Sequence, residues 1–117
     1  MNGYATGHVK RALEREQARQ DRRASLLASA RQAAAALRRR YGDGLDVYVF
    51  GSVLDAGRFR LDSDIDLAVR GLPVDRLYEA WSAAEDAAAA GRLDLVRLED
   101  APDWLAAEVR DRGERLT

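Results

Sequence analysis

Apolar positions change period several times along the chain, and each change marks an element. Leu26, Leu27, Ala30, Ala34, Leu37 and Tyr41 recur at three- and four-residue steps. That spacing makes one apolar helical face, which predicts a helix packed on a sheet. Upstream, between residues 8 and 23, the only large apolar side chains are Val9 and Leu13 among Arg, Gln and Glu. The pattern over residues 8–41 therefore predicts one long helix or two collinear ones, whose first part buries little on its own domain. Gly42 and Gly44 end it. "LDVYVF" and "DIDLAV" then read as strands, joined by an irregular loop containing Gly57. Pro73 suits a first helical turn, and Val74, Leu77, Trp81, Ala84 and Ala88 give the next helix an apolar face. The alanine tract at 87–90 reads as helix filler before Gly91. "RLDLVRL" is a third short strand. A last helix follows in "DAPDWLAAEVRDRG", with Asp100 as cap, Pro102 early, Trp104 on its apolar face and Gly113 as stop. The predicted order is α-β-β-α-β-α, a mixed α/β (α+β) domain with a small β-sheet flanked by helices. Residues 1–23 form a helical arm and residues 24–117 the domain.

Charge adds an asymmetry to this picture. The 117 residues carry a net charge of −1, yet residues 1–41 balance at +7 and residues 42–117 at −8. A basic segment can suggest nucleic acid, but no aromatic residues are interleaved with this one and an acidic domain follows it. Docking of the two halves, or of a protein partner, accounts for the charges as well, and membrane is not an expected partner. The chain has no cysteine, which excludes disulfides and thiolate metal sites. No apolar run approaches the roughly 20 residues of a membrane span, and the charged first segment is unlike a signal peptide. The expectation is a soluble cytoplasmic protein.

The chemistry lies in "YVFGSVLDAGRFRLDSDIDLAV", Tyr48 to Val69. Strand alternation sends residues i and i+2 to one face, so Asp64 and Asp66 converge while Ile65 and Leu67 enter the core. Neighbouring carboxylates repel, and a proton, a basic partner or a hard cation relieves the cost. Mg²⁺ suits such a pair, taking one or two carboxylates together with water and phosphate oxygens. Asp94 is another carboxylate inside an apolar run, "LDL". A third strand laid beside the second would bring three carboxylates to one sheet edge, enough for a two-metal site. Gly51 directly after the first strand lets backbone approach a ligand. The following N–H groups and the Ser52 hydroxyl can cradle phosphate, with Arg58 and Arg60 within the same loop. Taken singly, each feature has an ordinary explanation as a turn, an exposed strand face or half an ion pair. Their order, spacing and strand context together point to nucleotide chemistry.

These residues resemble the DNA polymerase β-like nucleotidyltransferases. That family's signature is an apolar residue with Gly-Ser, about ten residues, Asp-x-Asp in a strand, and a third acidic residue on a later strand. Phe50-Gly51-Ser52, Asp64-Ile65-Asp66 and Asp94 match it, and the length is similar to that of the minimal nucleotidyltransferase (MNT) subgroup over roughly residues 24–116. The resemblance implies a nucleotidyltransferase fold, ATP as substrate with Mg²⁺, and transfer of a nucleoside monophosphate to a hydroxyl. Asp64, Asp66 and Asp94 would be metal ligands and catalytic. Gly51, Ser52, Ser63 and Arg58 would bind nucleotide. Members of this kind are antitoxins paired with HEPN-domain RNase toxins, and some AMPylate a tyrosine of the toxin, so a hetero-oligomer with a HEPN toxin is implied. The chain departs from the family's Gly-Ser-x-Ala-Arg-Gly wording: it reads Val53-Leu54-Asp55-Ala56-Gly57-Arg58 after Gly51-Ser52, which displaces the arginine.

Two other classes compete with the enzyme. One is a binding module that neutralises its toxin by covering it. The other is transfer to a small molecule, for which the chain leaves no separate acceptor domain. Elsewhere, His8 reads as a surface residue, Trp81 and Trp104 as core, Asp62 as loop, and Arg38-Arg39-Arg40 as a solvated helix end complementing the dipole.

Overall fold

A single helix of 39 residues, α1 (Gly3–Tyr41), dominates the computed structural model, which describes residues 3–117. At 1.5 Å per residue it is about 58 Å long, nearly the whole 62 Å long axis of the molecule. Only its second half is packed: Leu26, Ala30, Ala33, Ala34 and Leu37 are buried. Residues 8–18 are all exposed, Val9 and Leu13 among them. Residues 1 and 2 of the predicted arm lie outside the described residues.

Four strands form the sheet in the order β3-β2-β1-β4. They are β1 (Asp46–Phe50), β2 (Ile65–Arg70), β3 (Leu93–Arg97) and β4 (Glu114–Arg115). β1 pairs antiparallel with both β2 and β4, whereas β2 and β3 run parallel. A parallel pair needs a long crossover, and α2 (Leu77–Ala87) supplies it. α2 packs against α1, and its Trp81 Nε1–H donates to the Leu93 carbonyl at 2.8 Å, tying helix to β3.

The main core joins Leu26, Leu37, Val47, Val49, Ile65, Leu67, Val69 and Leu95, from α1 and three strands. Each such side chain contributes about 1.5–3 kcal/mol on burial. Ala68 and Val109 are buried outside this cluster. Alternation puts Ala68 on the sheet's second face, on the side of Asp66, where α3 (Asp103–Arg112) packs beside β1.

The structure corrects several sequence expectations. β4, two residues after α3, carries too little pattern to be read; it is fixed by Thr117, whose hydroxyl accepts the Val47 N–H at 3.0 Å. Helix α2 stops at Ala87, so the tract at 88–90 is not helical. Instead the Ala90 N–H donates to Ser29 Oγ at 3.0 Å, which satisfies the one buried polar side chain recorded in α1. Val74 lies in a short 3-10 turn before α2 and is exposed. Trp104 is 71% exposed rather than core. Asp100 does not cap α3, which starts after Pro102; it pairs with Arg97 at 2.6 Å.

Candidate active site

β2 and β3 are in parallel register with Asp66 opposite Asp94. Side chains opposite one another in such a ladder share a face, on strands about 4.8 Å apart. Asp64 stands just before the start of β2, and Asp66 is its second residue. The flanking Ile65 and Leu67 are fully buried, which fixes the strand's rotation and turns Asp66 to the other face. The sequence thus sets the carboxylate's direction, and the crossover through α2 brings Asp94 beside it.

Burial pushes the Asp66 carboxyl up to about 6, and repulsion from Asp94 and then Asp64 adds to the shift. All three carboxylates therefore act on one point. Asp94 is exposed and Asp64 half-buried, so they flank Asp66 rather than enclose it. Among the described residues no three His, Cys, Asp or Glu side chains are gathered into a complete metal-binding group. The donor set still fits a hard cation in kind: every donor is carboxylate oxygen, and a divalent charge would relieve the repulsion that raises Asp66.

Gly51 is the other fixed point. Its φ of 84° and ψ of −158° fall in a region that essentially only glycine occupies. A side chain there would also displace the carboxylate, because a Cβ would lie 2.5 Å from Asp66 Oδ2. The turn after β1 and the central carboxylate are thus in direct apposition. Phe50, opposite Asp66 in the β1–β2 ladder, sets that apposition. Ser52 opens a 3-10 turn through Leu54.

One cleft opens at the Gly51 turn and another beside Asp64. The first, of about 250 Å³, is lined by Gly51, Leu54, Asp55, Ala56, Arg58, Glu108 and Arg112. The other, about 380 Å³, lies beside Asp64 and is lined by Arg22, Asp62, Ser63, Asp64, Gly91 and Arg92. Arg58 is brought to the Gly51 cleft, and Asp55 and Glu108 offset part of the charge there. Ser63 lies on the Asp64 side; its Oγ accepts the Arg60 N–H at 2.9 Å, closing the turn into β2. Its hydroxyl proton remains available to donate. Arg60 is not among the lining residues of either cleft. Sequence reasoning missed Arg22, Arg92 and Arg112. Nothing in their local pattern distinguishes them from other surface arginines, since α1 and α3 reach the site only through tertiary packing.

A parallel β2–β3 pair with facing aspartates, fed by a glycine turn from an antiparallel β1, defines the class of sheet-based nucleotidyltransferases. The Polymerase beta, Nucleotidyltransferase family matches residues 37–117, and the chain belongs to that family. Among solved structures, a mutant form of the MntA-HpeT toxin–antitoxin complex is 26% identical, with a TM-score of 0.59, covering 74% of this chain and 71% of that one. A toxin–antitoxin structure with AMP-PNP is 29% identical, with a TM-score of 0.55, covering 74% and 72%. A chain from the structure of a tri-AMPylated Shewanella oneidensis HEPN toxin in complex with an MNT antitoxin is 26% identical, with a TM-score of 0.55, covering 75% of this chain and 69% of that one. No functionally curated protein sequence matches the chain significantly.

Proposed function

We propose that this protein is an antitoxin that transfers AMP from Mg-ATP to a hydroxyl, that of a tyrosine, on a partner HEPN RNase toxin. The observation that carries the reading is the apposition of Asp66 with Asp94 across β2–β3, directly behind the Gly51 turn. The AMP-PNP and tri-AMPylated toxin complexes among the similar structures support the choice of nucleotide and acceptor.

In this reading Gly51 and Ser52 present backbone N–H groups and a hydroxyl to the triphosphate. Arg58 and Arg112, in the cleft beside Gly51, face its β- and γ-phosphates. The acceptor oxygen forms a bond to the α-phosphorus, and the α–β bridging bond breaks. Its electron pair leaves with pyrophosphate, and the hydroxyl proton passes to Asp94, the most exposed of the three carboxylates. Asp64, Asp66 and Asp94 would hold Mg²⁺, which when bound supplies positive charge to the phosphate oxygens. The acceptor needs no pocket of its own on this chain, because the partner's surface carries it.

Replacing Asp64 and Asp66 together by Asn keeps their size and removes the charge that holds the cation. Loss of one such electrostatic contact costs about 3–4 kcal/mol of barrier, or about 10²–10³ in rate. The double variant is expected to keep binding its toxin while the toxin's intact mass no longer gains AMP, and cells lose protection. A variant that protects as well as the parent, with no AMP adduct in either case, makes the protein a binding module instead.

A further inference from the structure

The loop that follows Gly51-Ser52 is held from outside itself. Its own turns use the carbonyls of Gly51, Ser52, Asp55 and Arg60 as acceptors. The carbonyls of Val53, Leu54, Ala56 and Phe59 accept instead from two arginines of α1. Arg23 Nε donates to Val53 at 2.7 Å and its Nη2 to Leu54 at 3.3 Å. Arg19 Nη1 donates to Ala56 and, at 3.2 Å, to Phe59. Arg19 is itself oriented by Glu16, which accepts from its Nε and Nη2, each at 3.0 Å. That fork geometry leaves Nη1 aimed at the loop. Val53 and Phe59, both buried, pin the same loop into the core from below.

We propose that Arg19 and Arg23 are positioning residues for the nucleotide loop, fixing the path of the chain one residue beyond Ser52 and so the placement of the phosphate cradle. This rests on the reading of Gly51-Ser52 as that cradle. The two arginines do not reach the reacting atoms. They act by occupying four carbonyls that would otherwise turn to water and let residues 53–59 relax. Displacement of a phosphate-binding segment by about 1 Å is enough to cost about 10²-fold in a positioned reaction. The basic face of α1 is thereby accounted for at these two positions without an acidic partner from the rest of the domain: the arginines serve as fixed N–H donors to the loop.

The test is Mg-ATP binding by calorimetry, read beside the melting temperature and beside AMP transfer at saturating ATP. Arg19→Ala with Arg23→Ala is expected to remain folded, to bind Mg-ATP at least about 10-fold more weakly, and to transfer AMP about 10²-fold more slowly. Arg19→Lys with Arg23→Lys, which keeps donors and charge, is expected to recover part of both. Should the Ala variant unfold, Glu16→Gln leaves both arginines in place and loosens the Arg19 fork, along with the exposed Gln20–Glu16 bond; a smaller loss of Mg-ATP affinity at unchanged melting temperature supports the proposal. An Ala variant that melts lower but binds Mg-ATP and transfers AMP as the parent does makes the arginines merely structural and overturns it. A folded parent that fails to bind Mg-ATP at all overturns the nucleotide reading itself, and the positioning role falls with it.

Discussion

Asp66 is where single-residue chemistry is most exposed to test. Its carboxyl, at about 6 in the folded protein against 3.8 for an unperturbed aspartate, holds its proton more tightly when the chain is folded. The ionised form therefore opposes folding above about pH 6, and this penalty fades as pH falls from about 6 toward about 4. Asp66→Asn is expected to raise the melting temperature of the metal-free protein near neutral pH. A gain of about 1–2 kcal/mol follows after discounting the shift for partial solvent exposure. The advantage over the parent should shrink toward zero as the pH of the melts drops to about 4. A constant difference across that range would show that repulsion at Asp66 is not its source. At this scale the sequence was informative about Asp64, Asp66 and Asp94, because a carboxylate inside an apolar strand is conspicuous. It was silent on Arg112 and Arg22, whose places depend on where separate helices come to rest.

Among the elements, α1 does three different things along one axis. Residues 26–37 cover the sheet, residues 19–23 clasp the loop after Gly51, and residues 8–18 extend into solvent. A solvated helix of that length is marginal by itself; it persists as the continuation of a packed one. Under the proposed function, its exposed Val9 and Leu13, one turn apart, are expected to contact the toxin. Deleting residues 1–14 should leave the melting temperature within about 2 °C of the parent while weakening toxin association. Deletion through residue 23 also removes both loop arginines and should lower it further. Unchanged toxin affinity after the shorter deletion would free the arm of that role. The periodicity of α1 predicted its existence and its packed face. The boundary drawn at residue 23 leaves both arginines that bind the domain's loop on the arm side, because no sequence period marks a helix's contact with a loop.

Across the whole molecule, the opposed charges of the two halves are only partly matched by ion pairs. Arg40 binds Glu79 of α2, and Arg38 reaches Asp43 at 3.1 Å. Three of the acidic residues, Asp64, Asp66 and Asp94, meet instead where β2 and β3 begin, and a cation with a nucleotide would bridge these carboxylates and the arginines of the Gly51 cleft. Binding confined to the folded state adds stability by mass action. Mg-ATP at about 100 times its dissociation constant should contribute about 2.7 kcal/mol, a rise on the order of 10 °C for a domain of this size. Melting curves that coincide with and without saturating Mg-ATP would count against a nucleotide site here.

By itself the sequence determined the local periods: the buried face of α1, the strands at "LDVYVF" and "DIDLAV" to within a residue or two of their observed ends, the glycine after β1, and the direction of Asp66 relative to Ile65 and Leu67. These follow from nearest-neighbour geometry, in which side-chain direction depends only on position along the element. Tertiary structure alone decided the rest. Parallel pairing set Asp94 opposite Asp66, a register that two strands more than twenty residues apart acquire only through the packing of α2. The two-residue β4 exists because β1 offers it an edge. Trp104 stays exposed because α3 turns another side, at Val109, inward. Arg19 and Arg23, ordinary charges in the sequence, meet four carbonyls more than 29 residues away because α1 runs alongside the loop after Gly51 at that point. Contacts between distant segments depend on how faces stack, and that information is distributed over the whole core rather than written at either contact.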